Sequence, residues 1–429
     1  MPFLLPLRSR AAVWLLLPGI ALTWLYAFTQ ANISDTVGYW NGVASSATIY
    51  TIFSCSFGAL SAAIEGSRLR SAQTFRLPTV RSALSISLAS IWPSLAIGVL
   101  IQLVGFLLSS RGSWGSPSQF PWEIIWAWIA MIVLHVSGGF LLGTKLHVFV
   151  AAPLALMLSY VWLGFTWAVD YVPLRYLSGL AISGCCTVYA ELATSSIVSV
   201  TVFSFAAAAA VWLLIALSRQ RSRIGQLVRI SSSVALLTAG TALGLSAAAD
   251  LGPYPSPPRS DFELSCSRTE SREICFYPEQ QWNVSPTPVA VVSEALENIS
   301  DSGLPTPDRI TANVLDVTSN SAAMVYQRDF TTVDTVHSLS SAIALRHPEL
   351  LCERDDLDPE TGYLSVEALT GLLFSSAMEG REDPYVSEDA RPLMSEVLRL
   401  TPSERSMWAL AVVDAASDCS LDFPEVSRQ

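Results

Sequence analysis

The chain has 429 residues, of which 51% are hydrophobic and only 14% charged, where soluble domains carry nearer a quarter charged. Its net charge of −11 is split unevenly: residues 1–250 hold 13 Arg/Lys and 6 Asp/Glu (+7), and residues 251–429 hold 12 and 30 (−18). Those figures exclude one soluble domain, and they point to two parts in two environments. The basic charge lies in short loops between apolar runs, so it calls for no nucleic-acid partner.

The N-terminal MPFLLPLRSR is followed by the first apolar run, Ala11–Thr29. That run is too long for a signal-peptide core of about 7–15 residues, and no small-x-small cleavage site follows, so it reads as an uncleaved span. Further spans are expected at Trp40–Ile64, Ala83–Leu108, Ile124–Leu142, Val148–Val169, Ser195–Leu217 and Ile230–Ala249. Each approaches the roughly 20 apolar residues that a bilayer core requires. Pro93 and Pro153 fall inside the third and fifth and are read as features of helix shape.

With seven spans, Arg8 and Arg10, the loop with Arg68, Arg70, Arg76 and Arg81, Lys145, and the run Arg219–Arg229 all fall on one side. Together they hold 11 of the 13 basic residues in this half. Arginine and lysine accumulate in cytoplasmic loops, so the N-terminus is expected in the cytoplasm and residues 251–429 outside. The semi-polar stretch Asp170–Glu191 would spoil this agreement as an eighth span. It is expected to be interfacial or re-entrant, packed among the others. Gly139-xxx-Gly143 and Gly240-xxx-Gly244 are read as close helix-packing faces. GGFLLGTK, at 138–145, lacks the spacing of a phosphate loop.

After Asp250 comes LGPYPSPPRS, the core of a proline-rich stalk over 251–265. Residues 266–429 are read as an acidic mixed α/β domain. SREICFYPE is a strand candidate, and DRITANVLDV with AAMVYQRDF a pair of strands. In PVAVVSEALENIS, Val292, Ala295, Leu296 and Ile299 share one helical face. Helices are also expected over Thr332–Arg346, from a cap at Ser365 to Met378, and from the capping box Thr401-Pro402-Ser403-Glu404 to Ala415. The fold class is therefore an α-helical polytopic membrane bundle of about seven spans plus a C-terminal mixed α/β extracytoplasmic domain.

Cys55 falls in a span, and the six remaining cysteines fall on the outer side. Disulfides are expected for Cys266–Cys275, which would close a hairpin, and for Cys352–Cys419, which would tie down the C-terminus. Cys185 and Cys186 are read as two reduced thiols. No CxxC pair or HExxH helix is present, so no metal, cofactor or catalytic residue is assigned. Asp356, Asp358, Glu360 and Glu367 approach calcium-loop spacing, but the glycine falls one place late. Asp334 and His337 share a helix face with Ser338, and His337 is read as a satisfied histidine. Gln102 and His135 are the polar residues inside spans, functional candidates by position.

The Arg68–Arg81 loop, EGSRLRSAQTFRLPTVRS, is spaced as a short amphipathic helix. A basic N-terminus, two spans, this loop, and four spans with a re-entrant segment before the sixth resemble ABC-2-type exporter permeases of actinobacteria. The likeness covers about residues 1–217. The seventh span and the outer domain depart from the six-span pattern. The resemblance implies an exporter subunit powered by a separate ATP-binding subunit at the cytoplasmic face, contacted by Arg68, Arg70, Arg76 and Arg81. Membrane lipid is the other expected partner, and a homo- or heterodimer in the cell membrane the expected assembly. The alternative is a membrane-anchored envelope interaction or sensing protein. A hydrolase would need one outer pocket uniting Asp334, His337 and a serine.

Overall fold

In the computed structural model, residues 10–29, 36–74, 82–216, 223–253, 256–259, 263–269, 272–313, 320–345 and 361–417 are described. The chain divides into two compact units, residues 1–115 with 119–257, and residues 116–118 with 258–429.

An apolar run in a membrane can satisfy its backbone only within itself, so the long runs of the N-terminal unit are helices. Among the described residues, six helical stretches are long and apolar enough to cross a membrane. They are α1 (Ala11–Thr29), α2 (Trp40–Ala47) continued by α3 (Thr51–Ser71), α4 (Ala83–Ser109), α5 (Trp122–Lys145), α8 (Thr194–Ala216) and α9 (Arg223–Ala247). The fifth expected span, Val148–Val169, is shorter than its sequence suggested. Its helix, α6 (Val148–Gly164), ends at a glycine, a poor helix former. A 3-10 turn, Thr166–Ala168, follows, and Thr166 Oγ1 donates to Ser178 Oγ at 2.9 Å, tying that turn to the next segment. Conversely, α9 begins well before Ile230, because arginine and glutamine are good helix formers outside an apolar run.

The helix α3 sits at the centre: 72% of its apolar window with α2 is enclosed, against 17% for α1 and α9. Glycines make this packing close. A Cβ at Gly139 would lie 2.2 Å from the Ala59 carbonyl oxygen, and one at Gly143 2.1 Å from that of Ala63. The Gly139-xxx-Gly143 face of α5 therefore rests directly on the backbone of α3. Gly240 of α9 meets Ala206, and Gly244 meets Leu177 and the Ser199 carbonyl, which seats α9 on α8. Polar side chains bridge helices elsewhere. Ser61 and Ser94 share a 2.8 Å hydrogen bond, and Trp128 Nε1 donates to Thr48 Oγ1 at 2.9 Å.

These contacts fix which helix ends lie together. The backbone N–H of Ala11, opening α1, donates to Glu65 near the end of α3 at 3.3 Å. The end of α5 lies beside Ala63 and Ser67, and Phe140 stacks on Trp212 near the end of α8. Arg10, Arg68, Arg70 and Lys145 thus occupy one end of the bundle. Trp40 packs against Phe106, Trp114 and Phe120 at the other.

Residues 170–191 form no long helix. Here α7 (Val172–Ser178) and a 3-10 turn, Leu180–Gly184, are joined by Gly179 at φ +79°. The 3-10 turn packs against α2 at the aromatic end, where Ser45 Oγ donates to the Cys185 carbonyl at 2.8 Å, while α7 packs on α8 and α9. Cys185 and Cys186 are disulfide-bonded, not reduced. Adjacent side chains of an extended chain point apart, but Cys186 has φ +76°, which turns the pair together. Tyr176 OH donates to the Gly252 carbonyl at 2.6 Å, and Glu191 N–H to that of Pro257 at 2.9 Å. The chain therefore leaves this unit at the end opposite the arginines.

The main segment of the C-terminal unit begins at Pro258, so just over half of the expected stalk belongs to it. Its strands are β1 (Ser265–Thr269), β2 (Arg272–Phe276), β3 (Arg309–Thr311) and β4 (Ser321–Ala323), in that order across one sheet. The β1–β2 pair is antiparallel with Cys266 opposite Cys275, and the disulfide closes the hairpin. The pairs β2–β3 and β3–β4 are parallel. The helices are α10 (Pro278–Gln281), α11 (Pro288–Asp301), α12 (Thr332–Leu345), α13 (Thr361–Ala377), α14 (Arg391–Val397) and α15 (Pro402–Ser417). On α11, Val292, Ala295, Leu296 and Ile299 are all buried, as their spacing required. Thr401 and Glu404 make reciprocal bonds at the start of α15. Ser365 is no cap: α13 starts one turn earlier and buries it. Cys352 and Cys419 lie outside the described residues.

Candidate functional site

Three places hold the residues singled out above. The first is the basic end of α3. Glu65 is buried, accepts the Ala11 N–H, and takes a 2.9 Å hydrogen bond and ion pair from Arg68. A carboxylate at a helix N-terminus meets unsatisfied N–H groups and the positive end of the helix dipole. Glu65 therefore fastens the start of α1 to the end of α3. Arg68 is 44% exposed, and Arg70 is exposed one half-turn on. Arg76 and Arg81 lie outside the described residues.

The second is the interior of the helical unit. Gln102 Nε2 donates to the Ala47 carbonyl at 2.9 Å, where the chain tightens into the 3-10 turn Thr48–Tyr50, and its Oε1 accepts from Ser54 Oγ at 3.2 Å. His135 Nδ1 is 2.9 Å from Ser159 Oγ and joins α5 to α6. A largely apolar cavity of about 430 Å³ opens beside this pair, lined by Gly138, Leu158, Trp162 and Phe203 among others. Both polar residues hold helices together.

The third is a cavity of about 450 Å³ in the C-terminal unit. The face of α12 bearing Asp334, His337, Ser338, Ser341, Ala342 and Leu345 forms its floor, and Val325, Phe330 and Tyr385 its walls. Helical periodicity explains why the α12 residues converge. His337 Nδ1 lies 2.7 Å from Oδ2 of Asp383, whose side chain is fully buried. The other Asp383 oxygen accepts the Tyr385 N–H at 3.0 Å. Tyr385 packs its ring on His337, with centroids 4.7 Å apart, and donates its hydroxyl to Asp334. Asp334 also accepts from the N–H and hydroxyl of Thr331, the cap of α12. These bonds, Tyr385 first, hold the Asp334 carboxyl below its ordinary range, while the same bond raises the Tyr385 phenol.

His337 thus has a partner, but one that the sequence did not disclose. Asp383 lies in the loop after α13 with no periodic pattern, 46 residues away. Ser338 gives its hydroxyl to the Val325 carbonyl and makes no bond to His337, so the cavity unites Asp334, His337 and serines without a nucleophile–base pair. Of the calcium-like run, Asp356, Asp358 and Glu360 lie outside the described residues. Glu367 accepts both the N–H and the hydroxyl of Ser387, at 2.6 and 2.8 Å.

The depressed Asp334 carboxyl makes stability pH-dependent. Its contribution is present above the carboxylate's unfolded value of about 3.9 and is lost as pH falls through the lower folded value. Tyr385→Phe is expected to lower the unfolding temperature at neutral pH, with the difference from wild type closing under acid conditions. Scans across the carboxylate range check this; a pH-independent difference would mean that the Tyr385–Asp334 bond is not the cause.

No protein-family model, curated protein or solved structure matches this chain.

Proposed function

We propose that the chain is a permease-like membrane subunit of an ABC-type exporter, powered by a separate ATPase that docks on Arg68, Arg70, Arg76 and Arg81. The observation that supports this most is the placing of Arg68 and Arg70 at the exposed tip of α3, the most enclosed helix. A displacement applied there would pass through the glycine contacts to α5 and, through Glu65, to α1. In this reading α6 also crosses. Its 17 residues span about 26 Å at 1.5 Å each, at the short end of what a bilayer accepts. With seven crossings and the basic end in the cytoplasm of a cell-membrane protein, the C-terminal unit lies outside, where it receives a substrate or partner.

A second reading, an envelope interaction or sensing protein that uses its helices as an anchor, is favoured by the use of Gln102, Ser54, His135 and Ser159 in helix–helix bonds. Co-purification separates the two. Detergent-solubilised protein from its own cells should bring down an ATP-binding protein, identified by ATP photolabelling. The variant with Arg68, Arg70, Arg76 and Arg81 all changed to Ser should not. Recovery of envelope proteins alone would retire the exporter reading.

A further inference from the structure

The cavity over α12 carries a consistent hydrogen-bond polarity. The Asp383 carboxylate can only accept, so the proton shared with His337 sits on Nδ1, and when the ring carries that one proton its Nε2 is an acceptor. Tyr385 gives its hydrogen to Asp334, and Ser338 gives its own to the Val325 carbonyl, which leaves both oxygens with lone pairs only. Asp334 is an acceptor throughout. Among the described residues, the donors of His337, Tyr385 and Ser338 at this rim are thus already engaged, and the Ser341 hydroxyl can act either way. Behind the rim are Phe330, Ala342 and Leu345. Two aromatic rings, Phe330 and Tyr385, flank a carboxylate, an arrangement that attracts a cation electrostatically and through the ring faces. The volume is within the usual range for small-molecule sites, about 300–1,000 Å³.

We propose that this cavity binds a small amphipathic ammonium compound, with the protonated amine donating to Asp334, Tyr385 and His337 and an apolar body lying on Phe330, Ala342 and Leu345. An ammonium brings three donors and no acceptor, the complement of the rim. A carboxylate would meet Asp334 with like charge, and an alcohol would satisfy one acceptor at most. The site is independent of whether the helical unit couples to an ATPase.

The test is calorimetry on the full chain in detergent at pH 8, where free imidazole is neutral. The probes are phenethylammonium, 2-phenylethanol and 3-phenylpropionate. The ammonium should bind at least about tenfold more tightly than either analogue, the ratio expected of one charge-assisted contact. Asp334→Asn should remove that preference, and Ser341→Trp should fill the cavity and abolish binding while leaving Asp334, His337 and Tyr385 in place. Both variants are checked for a native unfolding transition. If Asp334→Asn fails to fold, Ser341→Trp and the three-probe ranking still decide. Equal binding of the three probes, a preference for the carboxylate, or no ammonium binding up to about 10 mM, a binding energy under about 3 kcal/mol, would overturn the proposal.

Discussion

Arg259→Met is expected to cost the C-terminal unit about 3–5 kcal/mol, the usual loss when one member of a buried ion pair is removed. Arg259 is 4% exposed, and so is its partner Glu279. The guanidinium reaches both Glu279 oxygens at 3.3 and 3.5 Å, donates from Nε to Glu263 at 2.8 Å, and lies 4.2 Å from the centre of the buried Tyr277 ring. The Arg259 carbonyl accepts from Asn313 Nδ2 at 3.2 Å, next to β3. Methionine would keep much of the packing on Tyr277 but strand Glu279 as a buried charge without its cation. Arg259→Met with Glu279→Leu should therefore recover most of the loss, because a well-packed apolar pair substitutes for a buried ion pair at little cost. Hydrogen exchange over residues 258–417 of the full chain reads both effects. A single variant within about 1 kcal/mol of wild type would show that the pair is not a keystone of this unit.

Gly143→Leu should be as damaging in the helical unit, at about 3 kcal/mol or more, the upper end of overpacking penalties. The atoms that a Cβ would meet are backbone: the Ala63 carbonyl oxygen at 2.1 Å and the Ser67 nitrogen at 2.9 Å. Neither can rotate aside, so α3 and α5 must separate. Gly138, five residues earlier on the same helix, has nothing within 4 Å of its would-be Cβ. Gly138→Leu should fall within about 0.5 kcal/mol of wild type, as surface changes do. Size-exclusion profiles after graded heating compare the two. Equal tolerance would mean that the α3–α5 contact is looser than the glycines indicate.

These two sites show what the sequence could disclose. The Gly139-xxx-Gly143 spacing is local, and one turn of helix converts it into a face, so it was readable as a packing surface. The apolar runs, the Thr401–Glu404 cap and the Cys266–Cys275 hairpin were readable for the same reason: each is decided within about ten residues. Arg259 sat in a proline-rich stretch that reads as a stalk, and only the fold brings Glu279 and Asn313 to it. Asp383 and Tyr385 were invisible likewise, because a loop has no period and their partners sit on α12. The Cys185–Cys186 bond turned on one backbone angle, a positive φ that residue type does not announce. The end of α6 at Gly164 depended on a hydroxyl bond from Thr166 to Ser178, again across a loop.

In the proposed topology the arginine-bearing end of the helical unit and the C-terminal unit face opposite sides of a membrane. The most direct measurement is labelling of intact protoplasts with a membrane-impermeant maleimide, using Lys145→Cys and Glu388→Cys in turn. Both positions are exposed, the native Cys55 is buried, and Cys352 and Cys419 are changed to Ser in the background so that only the introduced thiol reacts. Glu388→Cys should be labelled on intact protoplasts and Lys145→Cys only after lysis. Labelling of both from outside, or of Lys145→Cys alone, would contradict it.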